Sequence, residues 1–439
     1  MIGHDPLTTY KAAVIGAGAG GLTMAIGLST FGHDVVLIEG DKVGGDCTNV
    51  GCIPSKALLH AAGVGMDDPF AWVQARRDGL AAHEDFEMAT DDHIHLVRGW
   101  ARLTKSENDA HTVCVSGPDG DVEVHAENVI VSTGSKPIEI SIEGLGPERL
   151  LTNEDIFELK TIPDTVVLVG GGVISLEMAT AFLDLGSEVH IVERTERLIG
   201  TEDPLVSATI EAALRSRGAH MHTSASIKRF DDLQQTAHLT NGDTIVGVDK
   251  VLIGIGRRPN LAGLGLEDAG VKFADTGIIA DDWGRTSVDG VYAVGDATGN
   301  TATTHGANAV ARRTIRAIAL PIPKFGKPRA LPNAVYCRPQ IASVGLTMSE
   351  LNAIPGTGRI RLVKHLSEID RGLTDDIEYG FVAVDAERFT GKILRAVIVA
   401  PDAAEMIGMF TIMIDNGIGL RKLFGTVHPY PAYSQAIGF

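Results

Sequence analysis

Apolar and polar positions along the chain change period in a way that marks its elements. After Lys11, Ala12-Ala13-Val14-Ile15 is an unbroken apolar run. It is followed by the glycine-rich stretch Gly16 to Gly21, a stretch of helical period, and a second run, Val35-Val36-Leu37-Ile38. Continuous apolar runs read as strands buried on both faces, and strand, glycine turn, helix and strand make one βαβ unit. The same grammar returns over Thr165 to Val192, with Val166 to Val169, glycines 170 to 172, a helix through Leu185, and Val189-His190-Ile191-Val192. The chain therefore carries two nucleotide-binding units. Between them, Thr112 to Val115 and Val122 to Val124 alternate around the turn Gly117-Pro118-Asp119-Gly120, which predicts a hairpin leading to a strand at Val129 to Val131. The Pro-rich stretch 321–332 predicts a linker. Beyond it, strands Gly380 to Val384 and Ile393 to Val399 with a helix over Ala403 to Asn416 predict an α+β domain.

A chain of 439 residues exceeds one hydrophobic core, which agrees with several domains. The 44% hydrophobic and 21% charged content is that of a folded globular protein. A net charge of -18 repels phosphate backbones and argues against nucleic acid as a partner. The start, Met1 to Lys11, has no apolar signal core, and no run of apolar residues is long enough to span a bilayer, so a cytoplasmic protein without a membrane span is expected. Four cysteines cannot staple a chain of this length, so a close pair among them signals chemistry.

Gly16, Gly18 and Gly21 match G-x-G-x-x-G in a strand-to-helix context, with Glu39 ending the next strand. Glycines there admit a pyrophosphate to backbone N–H groups and a helix N-terminus, and the glutamate accepts from a ribose hydroxyl. In the second unit Gly170, Gly172 and Ser175 hold the three positions and Glu193 ends the strand. Serine at the third position costs some closeness of helix to strand. The Glu193 charge opposes a 2′-phosphate and favours NADH, while Arg194 and Arg197 are close enough to blunt that preference, so NADPH stays open.

The segment Gly44-Gly45-Asp46-Cys47-Thr48-Asn49-Val50-Gly51-Cys52-Ile53-Pro54-Ser55-Lys56 places a C-x4-C pair at a helix start, where the dipole favours thiolate. It resembles the active site of the class I pyridine nucleotide-disulfide oxidoreductases, in the dihydrolipoamide dehydrogenase and mercuric reductase branch. The resemblance runs over essentially the whole chain. Val131 to Ser135, with Thr133 and Gly134, is similar to the family's crossing segment, and Gly254 to Asn260, with Gly256, to the return from the NAD domain. Thr286 through Asp296 is similar to the second FAD motif, and Val335 to Leu346 to the opening of the dimer-interface domain.

The resemblance implies an α/β fold of two Rossmann-like domains, for FAD and NAD(P), plus a C-terminal α+β dimerisation domain. The expected segments are 1–155 and 269–325 for FAD, 156–268 for NAD(P) and 326–439 for dimerisation. It implies a homodimer whose active site is shared between subunits. FAD would be held by Gly16, Gly18, Gly21, Glu39, Gly45, Lys56, Thr133, Gly134, Asp296 and Thr304, and the pyridine nucleotide by Gly170, Gly172, Glu193 and Gly256. Cys52 would lie nearer the flavin and Cys47 would meet the substrate, with Lys56 beside the flavin paired to Glu177.

At the C-terminus the family's His-Pro and following Glu meet His428-Pro429-Tyr430-Pro431-Ala432-Tyr433-Ser434-Gln435. Two registers fit. One sets Tyr430 at the acid/base position with Gln435 for Glu; the other keeps His428 as base and leaves Tyr433 for Glu. A phenol with a pKa of about 10 is a poor base at neutral pH beside an imidazole of about 6.5. Tyrosine here, with Thr303-Thr304-His305 and Ile369-Asp370-Arg371, is similar to mercuric reductases, yet no cysteine follows Cys337. Cys114 and Cys337 read as packed thiols and His305 as structural, and no metal site is expected. The expected activity is electron transfer from NAD(P)H through FAD to Cys47–Cys52 and on to a small-molecule or carrier-bound disulfide. Reduction of a metal or quinone, and a flavoprotein subunit acting on a carrier-bound lipoyl group, remain alternatives.

Overall fold

A computed structural model describes residues 9–104, 110–118, 120–299, 303–320 and 330–438. Most of the predicted linker, the start of the chain, Asp119 of the predicted turn and Phe439 lie outside the described residues. The chain forms two compact units. The first takes Met1–Ala57, Ala71–Ile138 and Gly256–Pro328, and the second Leu58–Phe70, Glu139–Ile255 and Arg329–Phe439.

In the first unit the strands Ile94–Arg98, Val35–Glu39, Thr9–Ile15 and Gly120–Val131 lie side by side in parallel, and Val291–Ala293 adds to the last of them. Gly120–Val131 also pairs antiparallel with His111–Gly117, which pairs with Trp100–Leu103. The two short strands expected at Val122 and Val129 are thus one strand of 12 residues. Its first half alternates because it belongs to the meander, and its last three residues, Val129 to Val131, are all apolar and buried because they lie inside the parallel sheet. The helix Ala19–Thr30 packs on this sheet against Thr304–Ala319, burying Met24 and Leu28 with Val310 and Ile315. Gly27 permits the approach, since a Cβ there would stand 2.3 Å from Ile315 Cδ1. Each fully buried Leu, Met or Ile in this seam contributes roughly 1.5–3 kcal/mol.

The second unit contains a parallel sheet in the order His220–His222, Glu188–Val192, Thr165–Val169, Lys250–Ile253, Leu150–Leu151. It also contains a five-stranded antiparallel sheet, Asn333–Val335, Gln340–Gly345, Ile393–Ala400, Phe381–Glu387 and Arg359–His365. The helix Ala403–Asp415 lays Ile407, Phe410 and Met413 on that sheet. The strand expected to stop at Val384 continues through Asp385, whose buried carboxylate is met by Arg361 at 3.3 Å. A charge that ends an apolar run in sequence is carried inside because its partner crosses from the neighbouring strand.

Candidate functional site

In the first unit the glycine turn is built by close approaches. Gly16 has φ +98°, and a Cβ on it would lie 2.4 Å from Ser132 O; on Gly21 it would lie 1.8 Å from Gly16 O. Gly18 differs, because a Cβ there would meet only Gly45 Cα, at 3.9 Å. Open space therefore stands at the N-cap of the helix Ala19–Thr30, as a pyrophosphate requires. Glu39 accepts from Ala17 N at 2.6 Å and Asp41 N at 2.8 Å. Burial raises its pKa more than those amides and Arg98 lower it. A cleft of about 430 Å³ beside it is lined by Arg98 and Trp100. Open cradle, carboxylate and aromatic-walled cleft together fit an adenine dinucleotide.

Gly44 N donates to Ala17 O at 2.9 Å, and Gly45, at φ +54°, lies so close to Gly18 that a Cβ would approach its Cα to 2.7 Å. The cysteine segment is therefore seated backbone to backbone on the glycine turn. Cys47 lies in the short helix Gly45–Asn49, and Cys52 is the first residue of Cys52–Gly63. Thr304, which opens Thr304–Ala319, donates to Cys47 Sγ at 3.3 Å and stands 3.5 Å from Cys52 Sγ. The Cys47 thiol is pushed up from its ordinary value, first by its hydrogen bond with Cys52, then by burial and the Cys52 charge, with Thr304 opposing. The thiolate-favouring helix start expected from sequence does not extend to Cys47. The hydrogen bond between the two sulfurs favours the protonated Cys47, and a helix of five residues offers little dipole.

On the Cys47 side lies a cleft of about 510 Å³, lined by Leu22, Ile26, Ile53, Leu80, Met88 and Ile315 and by the charged Glu84, Glu87 and Arg312. Glu84 accepts from Thr48 at 2.9 Å, and burial raises its pKa. Elsewhere in this unit the two crossing segments meet as antiparallel strands, Ser135–Pro137 and Arg257–Pro259. Asp296 accepts from Ser135 Oγ at 2.6 Å, Arg257 Nε donates to the same hydroxyl at 2.8 Å, and Arg257 also pairs with Asp46. Thr133 donates to Asn260 O at 2.8 Å, and Gly134 and Gly256 have φ of +67° and +120°. Lys56 stands one turn beyond Cys52, with Nζ 3.3 Å from Ser55 Oγ.

In the second unit Gly170, at φ +103°, would bring a Cβ to 2.5 Å from Gly254 O, whereas at Gly172 the nearest atom would be 4.0 Å away. This turn also leaves its helix N-cap open and fits a second dinucleotide. Glu193 accepts from Gly171 N and Thr195 N, both at 2.6 Å, and from the Thr195 hydroxyl at 2.8 Å. Burial pushes its carboxyl up, but those donors and the Arg194 charge outweigh it, so its pKa falls below the ordinary value. Arg197 is tied to Gly200 O at 2.7 Å and Glu202 O at 3.2 Å. Glu177 is buried on Val173–Asp184 and accepts from Tyr336 N at 3.1 Å.

At the C-terminus Tyr430 is 71% exposed, and the hydrogen bond it donates to the Asp370 carboxylate raises its pKa. His428 is half-buried with its pKa lowered by desolvation, and its Nε2 is buried without a hydrogen-bond partner. Gln435 Oε1 lies 3.4 Å from Ala432 N. Cys337 is buried, its thiol donating to Pro339 O at 3.1 Å, and burial raises its pKa. Cys114 shifts in the same direction for the same reason. His305 Nε2 lies 3.3 Å from Thr303 Oγ1. The thiol contact of Thr304 and the Cys47-side cleft were not anticipated in sequence. Thr304 had a signal only as a family position, and the cleft joins residues from four separated stretches.

Two dinucleotide turns, with a cysteine pair seated on one of them, define a flavin- and pyridine-nucleotide-dependent thiol–disulfide enzyme. The family model for pyridine nucleotide-disulphide oxidoreductase matches residues 10–311, and the model for that family's dimerisation domain matches residues 331–438. The chain belongs to this family and is an FAD-dependent NAD(P)H disulfide oxidoreductase. It is 31% identical to dihydrolipoyl dehydrogenase 3 of Haloarcula marismortui, over 100% of this chain and 97% of that protein. It is 34% identical to the mercuric reductase of Streptomyces lividans, over 98% and 95%. Among solved structures it is similar to the copper(II) complex of the HOCl-induced flavoprotein disulfide reductase RclA of Escherichia coli, at TM-score 0.89 and 26% identity, over 98% of each chain. Among the described residues no helix is long and apolar enough to cross a membrane.

Proposed function

We propose that Cys47 and Cys52 are the redox pair and that the enzyme reduces an uncharged, largely apolar disulfide with NADH. The observation that carries this reading is the Thr304 hydroxyl against both sulfurs at the wall of an apolar cleft. FAD, when bound, supplies the transfer of an electron pair from NAD(P)H to the cysteine disulfide. Gly16, Gly18, Gly21, Glu39, Gly45, Thr133, Gly134, Asp296 and Lys56 would hold it. Gly170, Gly172, Glu193 and Gly256 would hold the nucleotide, the ionised Glu193 favouring NADH over NADPH.

With the pair reduced, Cys47 loses its proton and its sulfur attacks one sulfur of the substrate. The substrate S–S bond breaks, and the departing thiolate takes up a proton. Cys52 then attacks Cys47, which re-forms the Cys47–Cys52 disulfide and releases the second substrate thiol. The sum is NADH, a proton and a disulfide giving NAD⁺ and two thiols. Glu84 and Glu87 outnumber Arg312 in the cleft, which disfavours polyanionic disulfides. A lipoyl group, free or carrier-bound, has the required character, and two of the relatives above act in keeping with thiol or soft-metal chemistry by name.

Tyr430, exposed beside Asp370, is the better candidate for the acid/base position than half-buried His428. Because its phenol is held protonated, oxidation of dithiols should be slow at pH 7 and rise steeply toward alkaline pH. Tyr430→His should move that rise to near neutrality, with at least about a tenfold gain at pH 7. Phe424, Val427 and Tyr430 are exposed apolar residues within the segment matching the dimerisation model, and this supports a homodimer completing the site. NADH use and a working dithiol fit a reducing cytoplasm.

The test is anaerobic NADH titration of the FAD-loaded enzyme followed by thiol alkylation. One equivalent should expose two new alkylatable thiols per chain, Cys47 and Cys52, with long-wavelength absorbance from a thiolate beside flavin. Cys47→Ser should abolish disulfide reduction. A second reading, direct reduction of a soft metal ion, is favoured by tyrosine in place of the usual histidine; it requires metal-dependent NADH oxidation to survive Cys47→Ser. If no thiols appear on adding NADH, the cysteine relay is wrong.

A further inference from the structure

The strands Glu188–Val192 and His220–His222 pair in parallel at the edge of the second unit's sheet, with His190 opposite His220 and Val192 opposite His222. Side chains two apart on a strand share a face. Glu188 and His190 therefore stand together on one strand, and His220 and His222 on its neighbour. The His190 ring stacks on His220 at 4.6 Å and on His222 at 5.5 Å. Glu188 Oε1 lies 3.1 Å from His190 Nε2 and 3.7 Å from His220 Nε2, and one donor atom from each of the three residues lies within 4.8 Å of the others. Donors bound at about 2.0–2.2 Å to a tetrahedral cation stand roughly 3.3 Å apart, so the two carboxylate–imidazole spacings are close to those required. The stacked rings must turn to bring both nitrogen lone pairs onto one ion.

We propose that Glu188, His190 and His220 form a binding site for a divalent transition cation of the zinc class. Two imidazole nitrogens and one carboxylate oxygen suit zinc, nickel or copper(II) rather than magnesium or calcium, and water completes the fourth position. The surroundings add a second observation. His190 Nδ1 lies 3.2 Å from His222 Nε2, and His222 Nδ1 lies 3.6 Å from Asp243 Oδ2. With His190 Nε2 on the cation, its Nδ1–H donates to His222, which in turn donates toward Asp243. A relay of this kind orients a metal-bound imidazole and raises its basicity. Polar residues alone would serve to keep an edge strand soluble, but that need does not call for donor atoms converging on one point.

None of these residues takes part in the redox site, and the proposal departs from the expectation of no metal site. No spacing in the sequence marks them, because Glu-x-His and His-x-His are brought together only by strand pairing. The cation would clamp the edge strand to its neighbour. Glu193 N donates to His222 O at 2.9 Å, so the clamp would also steady the strand end that carries Glu193.

The experiment uses FAD-loaded, chelator-treated enzyme with Cys47–Cys52 oxidised and the remaining thiols alkylated, titrated with zinc chloride by calorimetry. One Zn²⁺ should bind per chain in the micromolar range and raise the melting temperature. His220→Ala and Glu188→Gln change exposed side chains, so both should keep full flavin content and NADH turnover. Both should weaken Zn²⁺ binding at least about tenfold and lose the thermal shift; His222→Ala should weaken it by a smaller factor. Absence of stoichiometric binding in the native chain, or equal affinity in His220→Ala and Glu188→Gln, overturns the proposal.

Discussion

The two glycine turns use one design at different tightness. At the first position they are interchangeable: Gly16 and Gly170 have φ of +98° and +103°, and added Cβ atoms would lie 2.4 and 2.5 Å from a carbonyl of the adjoining strand's end. In both, the strand-ending glutamate accepts an amide hydrogen from the residue after that glycine, Ala17 or Gly171, at 2.6 Å. They part at the third position. Gly21 leaves no room for a side chain, while Ser175 carries one, and its hydroxyl is buried without a hydrogen bond. They part again in charge, for burial dominates at Glu39 and raises its pKa, whereas Thr195 and Arg194 keep Glu193 below its ordinary value. On the function proposed above, the turn that would hold the resident FAD is the tighter, and the turn that would exchange the pyridine nucleotide has slack and a more firmly ionised carboxylate.

The sharpest break of this comparison is Gly21→Ala. Its Cβ must push Gly16 and the helix apart, and FAD affinity should fall about a hundredfold, read as flavin absorbance per chain after gel filtration. Gly170→Ala should cost about tenfold in kcat/KM for NADH with flavin content unchanged, because the strain falls on the exchanging cofactor alone. Glu193→Gln should lower kcat/KM for NADH several-fold and narrow the preference over NADPH by about tenfold, measured by steady-state kinetics with each nucleotide. Smallest of all, Ser175→Ala removes a buried hydroxyl with no partner and should stabilise the chain by about 1 kcal/mol, a rise of roughly 2 °C in Tm by calorimetry. Equal damage from Gly21→Ala and Ser175→Ala would dissolve the distinction between the turns.

Both nucleotide-binding units were legible in sequence because a buried parallel strand is an uninterrupted apolar run, and because the first position of the turn, Gly16 or Gly170, has positive φ and no room for a side chain. The Cys47 to Lys56 segment was legible as one composite pattern, and the family it resembles is the one that the chain belongs to. Less was visible where an element serves two neighbours. Gly120–Val131 looked like two strands since its halves face different environments, and the strand through Asp385 looked shorter since its charge is matched from outside the run. The upward shift of the Cys47 thiol was not legible for a related reason. Position at a helix start is local, while the raised pKa comes from Cys52, five residues on and folded back beside it.

By itself, then, the sequence determined the order of elements, the two glycine turns, the cysteine pair and the family, because each depends on residues close together in the chain. Only the tertiary structure decided that Thr304 touches both thiols and that a cleft with two glutamates opens beside Cys47. It alone decided that Ser175 is unpartnered and that Glu188, His190 and His220 bring donor atoms to within 4.8 Å of one another. Such convergence is fixed by strand register and helix packing, which pair residues far apart in the chain and leave no periodic trace in it.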